Sequence, residues 1–548
     1  MRILAISSAP YIGTHDGCTA CLEDGALLFS TEAEKDSADR YAELSESLVL
    51  RGLSRLGGLP DVLAQGGWDN DYHGLDPLAE ATLEFFKKIR VCRSTHERAH
   101  IFCTYGMSPL PQGQPCYVLV WEGSLGRFYR IDESLHIEQL GSPVDCPGHR
   151  YQLLWALPHS GIGDWFGLGG RHRSEHVVDA FQRILMTVTT TLDGPGKQMA
   201  LSAFADSSSD GDPEVAALID TLMTMTIDSQ LLSEPQERVS VVLELLLRWE
   251  PFRHISVQDQ VFKNIAQRLT TRMYGAFHEF AERNLREKLP LLIAGGCGLN
   301  CTWNTNWREC GLFPQVFVPP CTNDSGIAVG VGVDAQYRFT GNAKLDWSVM
   351  SGEEFVLDVA LEEDPRFVSE EIDYRRLAFL LSQSALVGWV QGRYEMGPRA
   401  LGHRSILAAP FDSAMLTRLN QLKKRESYRP IAPICLEEDV SEHFHWRGPS
   451  PHMLYFQKLR TDRLRAVTHV DGTARVQTVN ADQDARMHRL LTEFKNQTGY
   501  GVLCNTSLNF KGKGFINRSS DLLAFAVEEG LDVLVVGTKV LTRVGRHW

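Results

Sequence analysis

Apolar and polar positions alternate in short blocks along the first third of the chain. ILAIS (residues 3–7) reads as a buried strand, and CTACL (18–22) and ALLFSTE (26–32) as two more, parted by Glu23-Asp24-Gly25. An Asp-Gly step between apolar runs predicts a hairpin, because glycine accepts the positive φ of a tight turn. The same pattern returns in CYVLVW, EGSLG and RFYRI (116–131). EKLPLLIAGGCGLN (287–300) predicts a buried strand ending in glycines. Helix-like periodicity occupies 177–206, 215–248 and 260–286, and VVLELLLRW within the second has the apolar density of a core helix. The expectation is a mixed α/β protein with antiparallel hairpins. Around 340–375 the texture becomes polar and charge-rich. This divides the chain into residues 1–345, a linker at 346–372 and a second α/β unit at 373–548. No low-complexity tract or short-period repeat is seen.

A length of 548 residues suits two or more domains. Hydrophobic residues at 43% and charged residues at 22% exclude a disordered or collagen-like chain. No apolar run approaches the roughly 18 residues needed to span a bilayer. MRILAISSAP flows into a strand-and-turn pattern rather than a cleavage site, so a cytoplasmic protein without a membrane partner is expected. The net charge of −13 speaks against nucleic acid as a partner. The 12 cysteines are too dispersed for a disulfide scaffold, and Cys18/Cys21 and Cys297/Cys301 are lone pairs without a second half at zinc spacing.

Two groups of residues carry candidate chemistry. His96 and His100 are four apart in STHERAHIF, which places both imidazoles on one helix face, within reach of one cation. Glu97 makes this HExxxH, so the HExxH protease motif fails on spacing. Glu122, at the end of CYVLVW, and Asp324, in a turn before the glycine-rich IAVGVG, are candidate anionic ligands; both are also ordinary turn formers. IAVGVG itself suits either close helix packing or nucleotide contact. Gly295, Gly296 and Gly298, followed by Asn300, are placed to bring backbone N–H groups to phosphates.

The second group lies in WVQGRYEMGPRALGHRSILAAPFDSAMLTRLNQLKKRESYRP. From Arg393 to Arg429 it holds eight lysines and arginines against three acids, in a protein that is otherwise acidic. Arginines fixed in glycine- and proline-bounded turns suit an anion-binding site better than a solvated basic face. Arg475 follows an Asp-Gly turn, and LCNTSLN ends a buried strand in Asn505, Thr506 and Ser507. Strand ends are where α/β folds place ligand contacts.

These pieces resemble a known family. HDGCTACLEDG, HERAH, AGGCGLN, TNDSG, QGRYEMGPRALGHRSILAAP, YRPIAP, HVDGTARVQTV and LCNTSLN occur in the order of the carbamoyltransferases that include the nodulation, tobramycin and cephem enzymes. EAEKDSADRYAEL and GGWDNDYHG look most like the cephem type. The resemblance implies an N-terminal actin-like (Kae1-like) ATPase domain and a C-terminal YrdC-like domain. It implies ATP and carbamoyl phosphate as substrates, Mg with the ATP, a carbamoyl adenylate intermediate, and transfer to a hydroxyl of a small natural product near a divalent metal of the Fe(II) kind. A hydroxymethyl acceptor follows from the cephem likeness.

Carried over residue by residue, the metal ligands are His96, His100, Asp324 and Glu122, the last standing where the family has Asp. Arg399, Lys423, Arg429, Arg475, Asn505 and Ser507 match positions that hold nucleotide and carbamoyl phosphate, and Asn300 joins them from the glycine turn. His15, next to Asp16 on the acceptor side, matches the residue near the acceptor hydroxyl, where a neutral ring takes its proton. Tyr41 stands where a second acceptor-side histidine is expected. A homo-oligomer is compatible with this reading. The rival readings are a threonylcarbamoyl-adenylate enzyme acting on tRNA and a non-catalytic nucleotide- and metal-binding regulator.

Overall fold

The computed structural model describes residues 1–545 except 9–14, 38, 68–72, 77–80, 83–88, 160–192, 228–251 and 253. The first hairpin forms as its Asp-Gly step predicts. β1 (Arg2–Ser8) pairs antiparallel with β2 (Cys18–Glu23), and β2 with β3 (Ala26–Glu32). β4 (Val62–Gly67) and β6 (Arg90–Ser94) then add in parallel beyond β1, with the short β5 (Ala81–Thr82) at the edge. A second sheet repeats the scheme. β7 (Cys116–Trp121), β8 (Gly126–Ile131) and β9 (Ile137–Gly141) form an antiparallel meander, and β10 (Leu291–Ala294) and β11 (Val316–Phe317) add in parallel beyond β7. Both sheets thus follow one order: three antiparallel strands, then parallel additions beside the first. This duplicated arrangement is the actin-like fold.

The third sheet is mixed and eight-stranded. Its order is β12 (Phe367–Glu371), β21 (Lys539–Arg543), β20 (Val533–Val536), β13 (Val387–Val390), β14 (Arg404–Ala408), β19 (Val502–Ser507), β15 (Ala432–Leu436) and β18 (Gln477–Val479). β16 (Gln457–Lys458) and β17 (Thr473–Ala474) form a separate ribbon. Residues 341–355 are largely irregular, as their polar texture predicts.

The predicted helix at 260–286 is present as Gln260–Asn284. Of the predicted 177–206 and 215–248, the described parts include the helices Gly194–Ser202 and Pro213–Thr224; residues 177–192 and 228–248 lie outside the described residues. Trp121 of β7 stacks on Trp303 at 4.4 Å between ring centroids, with Phe277 beside it, at the centre of the second sheet's core.

The IAVGVG run opens the helix Ile327–Thr340, which packs on α3 (His96–Met107), counting α1 (Ala33–Ser37) and α2 (Glu46–Leu56) before it. At Gly330 a Cβ would stand 1.9 Å from the Ala99 carbonyl oxygen, so only glycine allows this approach. Of the two uses the sequence left open for this run, close helix packing is therefore the one described. Arg98 adds a buried ion pair to Asp334 at 2.7 Å across the same contact. Cys18 and Cys21 belong to different hydrophobic clusters, Cys18 with Ala5 and Ile327 and Cys21 with Leu4, Phe29 and Leu56, so their CxxC spacing makes no joint site. No helix among the described residues is long and apolar enough to cross a membrane.

Candidate active site

Thr95 starts α3 by accepting a hydrogen bond from the Arg98 N–H at 3.0 Å. The helix is buried on every side, so both imidazoles enter the protein interior. His96 bonds the Gly67 carbonyl through Nδ1 at 2.7 Å, which turns Nε2 inward to Glu122 Oε2 at 2.9 Å. His100 Nε2 lies 3.1 Å from His96 Nε2, 3.2 Å from Asp324 Oδ1 and 3.5 Å from Glu122 Oε2. One donor atom from each of the four residues falls within 4.8 Å of the others, all buried. Two imidazole nitrogens in mutual contact and flanked by two carboxylates form a donor set that fits a divalent cation. Burial opposes charge at Glu122 and Asp324, yet the facing histidines hold both below the usual carboxylate range. Burial likewise works against a charge on His100, but the bonds to Asp324 and Glu122 raise it to about 9. Glu97 takes no part: it accepts from the Gly74 N–H at 2.9 Å and from Arg127 at 3.2 Å.

His15 sits at the rim of this cluster, with Nδ1 3.0 Å from Asp16 Oδ2 and 3.8 Å from Asp324 Oδ2. Burial lowers its pKa, but the Asp16 bond and the Asp16, Asp324 and Glu122 charges outweigh it and lift the ring to about 9. The neutral His15 expected from the sequence is therefore not the form this arrangement favours. Tyr41 adopts a positive φ of 58° and donates its hydroxyl to Asp193 Oδ1 at 2.9 Å.

The cationic group assembles around the ends of β14, β15 and β19. Asn505 donates to the Ala400 carbonyl at 3.2 Å and to Gln477 at 2.9 Å, which ties the turn bearing Arg399 to the sheet. Burial, Arg475, Arg40 and Arg429 together push Arg399 down to about 9, and burial with Arg429 and Arg475 does the same to Arg425. Lys423 is also lowered, first by burial and then by Arg425, Arg40 and Arg429. Among the acids beside it, Glu426 pairs with Lys197 at 2.7 Å and lies 3.7 Å from Arg429, and Asp193 pairs with Arg40 at 3.1 Å. The Nε atoms of Arg399, Arg475 and Arg40 and Oδ1 of Asn505 are buried without a hydrogen-bond partner. Crowded cations with unsatisfied donors are the local environment an oligophosphate would relieve.

Three expected contacts are committed elsewhere. Lys423 Nζ holds the Ser507 and Asn509 carbonyls, each at 2.7 Å, and Ser507 Oγ bonds Asn509. Asn300 Oδ1 caps the helix Cys301–Glu309 by accepting from the N–H groups of Thr302 and Trp303, and the N–H groups of Gly295, Gly298 and Asn300 donate to carbonyls of the protein rather than standing open to a phosphate.

The two clusters meet through the glycine turn 295–301. Gly295 donates to the Thr322 carbonyl, two residues from Asp324, at 2.7 Å. Cys297 feels the Glu122 charge, whereas Cys301 feels Arg475 and Arg399. Arg399 reaches the Leu299 carbonyl at 3.5 Å.

Residues 256–333 match the family model Carbamoyltransferase N-terminus, and 378–543 match Carbamoyltransferase C-terminus. The chain is 42% identical to the 3'-hydroxymethylcephem-O-carbamoyltransferase of Amycolatopsis lactamdurans over 95% of its own length and 96% of that protein. The chain belongs to the carbamoyltransferase family. The Streptomyces clavuligerus protein of the same description is also 42% identical, over 97% of this chain and 98% of that one. Nodulation protein U of Rhizobium tropici is 30% identical over 92% and 90%. The protein is thus a carbamoyltransferase enzyme, which sets aside the non-catalytic regulator.

Sequence reading of this carbamoyltransferase missed two cations that share the phosphate-type cluster. Arg425 was inside the basic stretch but undistinguished from its neighbours. Arg40 lies in the N-terminal half, and its only signal was the EAEKDSADRYAEL string.

Proposed function

We propose that the enzyme makes a carbamoyl adenylate from ATP and carbamoyl phosphate at the cationic cluster and transfers its carbamoyl group to a hydroxymethyl group of a small natural product beside His15. The observation that carries this is the pair of buried, unpartnered Nε donors on Arg399 and Arg475, joined by the 295–301 turn to the four-ligand cluster. The steps balance as follows. Water cleaves carbamoyl phosphate to carbamate and phosphate. The carbamate oxygen attacks the α-phosphorus of ATP and expels pyrophosphate. The acceptor oxygen then attacks the carbamoyl carbon, AMP leaves with the hydroxyl proton on its phosphate, and His15, cationic in this arrangement, donates to the carbonyl oxygen as charge builds there.

Arg399, Arg429 and Arg475 screen the repulsion between two polyanions and stabilise charge on the departing pyrophosphate. Lys423, Asn505 and Ser507 fix the strand-end loop around them. Mg accompanies the ATP phosphates. His96, His100, Glu122 and Asp324 would hold a divalent ion, Fe(II) in this proposal, which would supply Lewis-acid polarisation when bound. Enclosure between the domains keeps water from the adenylate.

The acceptor assignment draws on the two cephem relatives, whose description names a 3'-hydroxymethyl cephem. The acidic balance of the chain disfavours tRNA. The test is incubation with ATP, Mg, carbamoyl phosphate and hydroxymethyl cephems, reading pyrophosphate and acceptor mass. A gain of one carbamoyl group with pyrophosphate release is expected. Absence of carbamoyl phosphate-dependent pyrophosphate sinks the first step, and unmodified acceptors sink the second.

A further inference from the structure

Lys35 is a fully buried lysine that no step above uses. It lies in α1, and its ammonium donates to Glu32 Oε1 at 2.9 Å and to the carbonyls of Glu395 and Gly397 at 2.6 and 2.7 Å. Three acceptors exhaust its three protons. The rings of Tyr394 and Phe515 stand 5.3 and 4.7 Å from the same nitrogen. Glu32 Oε1 also accepts from the Gly397 N–H at 2.7 Å. An N-terminal ion pair therefore grips the C-terminal turn 395–402 from both its carbonyls and one N–H.

That turn touches each part of the proposed reaction path. Glu395 closes it by accepting from the N–H groups of Leu401, His403 and Arg404. Gly397, at φ +86°, lies against the Pro320 carbonyl, where a Cβ would come to 2.3 Å; Pro320 begins the loop that leads to Asp324. Two residues on, Arg399 reaches Leu299 of the glycine turn. The turn is thus fixed at three points of the N-terminal domain: the Lys35–Glu32 pair, the Asp324 loop and the glycine turn.

We propose that Lys35 and Glu32 are positioning residues that lock the Arg399 turn onto the N-terminal domain, so that one contact both sets Arg399 against its phosphate and seals the passage toward Asp324. This rests on the two-step reading above. A pair that merely glued the domains together would change stability alone. A positioning pair also changes how well carbamoyl phosphate is held and how much intermediate escapes.

The test uses the full-length enzyme with Lys35→Met, Lys35→Arg and Glu32→Gln, after checking fold and metal content. Lys35→Met is expected to raise KM for carbamoyl phosphate in pyrophosphate release by roughly tenfold or more, with kcat within about threefold. The carbamoylated acceptor formed per pyrophosphate should fall below the wild-type ratio, because adenylate leaks to water. Lys35→Arg should recover part of both, and Glu32→Gln should move both in the same direction by less. Should Lys35→Met fail to fold, Glu32→Gln carries the same comparison. A lowered melting temperature with KM and product ratio unchanged overturns the proposal. If the wild type itself releases no pyrophosphate, the two-step reading falls and takes this inference with it; that result is read before any variant is made.

Discussion

Arg475 and Arg429 show how a single side chain's surroundings set its role. Arg475 is half-buried, held near Cys301 and pressed by the charge of Arg429, with its Nε atom buried and unpartnered. Under the proposed reaction, removing either guanidinium would delete a charge-assisted phosphate contact, on the order of 1.5–3 kcal/mol or more. Arg475→Ala and Arg429→Ala are expected to lose at least about tenfold in carbamoyl phosphate-dependent pyrophosphate release. Metal content, measured on the same samples, should not change; wild-type rates in both variants contradict the assignment. His452 gives a pH prediction. Burial lowers it to about 4 from 6.5, next to Trp347 at 5.8 Å between rings. The unfolded chain therefore binds this proton first as pH falls. The stability contributed by the neutral ring is complete above pH 6.5 and is lost as pH drops toward 4. Between pH 7 and 4.5 the melting temperature of wild type should fall more steeply than that of His452→Gln, and parallel curves would refute this.

At the level of elements, the contact between α3 and the helix Ile327–Thr340 supports the ligand cluster, since α3 carries both histidines. Gly330→Val would drive a branched side chain into the Ala99 carbonyl. The expected cost is on the order of 2–4 kcal/mol, with weakened metal binding at temperatures where the chain remains folded. Thermal unfolding and metal titration of the variant check it, and an unchanged melting temperature would show that the helices can part freely. The hairpins of both sheets were legible because Asp24-Gly25 and the EGSLG turn interrupt clean apolar runs. His96 and His100 were legible because the helical repeat alone puts them on one face. What could not be read was any pairing between remote segments. Lys35 looks like one charge among several in EAEKDSADRY, and nothing local says that it meets residues 395 and 397. Lys423 was read as a ligand contact from the family resemblance and Asn300 from its place after the glycine turn, while their partners, the 507–509 carbonyls and a helix N-terminus, depend on packing. The charge state of His15 depends on Asp324 and Glu122, which arrive from distant strands and turns.

For the whole molecule, the two clusters share a border but no ligand, so they should fail separately. His96→Ala is expected to abolish metal retention and carbamoyl transfer while pyrophosphate release persists. Loss of pyrophosphate release in a folded, metal-free variant would contradict this division. The experiment needs the complete chain, because β12 begins at Phe367 and completes the C-terminal sheet, so a fragment cut at 373 would expose the edge of β21. The repeated sheet order carries one more consequence. The first repeat moves from β3 to β4 within residues 33–61, whereas the second moves from β9 to β10 through residues 142–290. That long excursion contributes no strand to the described sheets and none of the four metal-type ligands. It is nevertheless tied to both halves of the site: Phe277 packs beside Trp121, Asp193 holds Tyr41 and Arg40, and Lys197 holds Glu426. A graft of this segment between relatives would therefore have to carry the residues at 40, 41 and 426 with it.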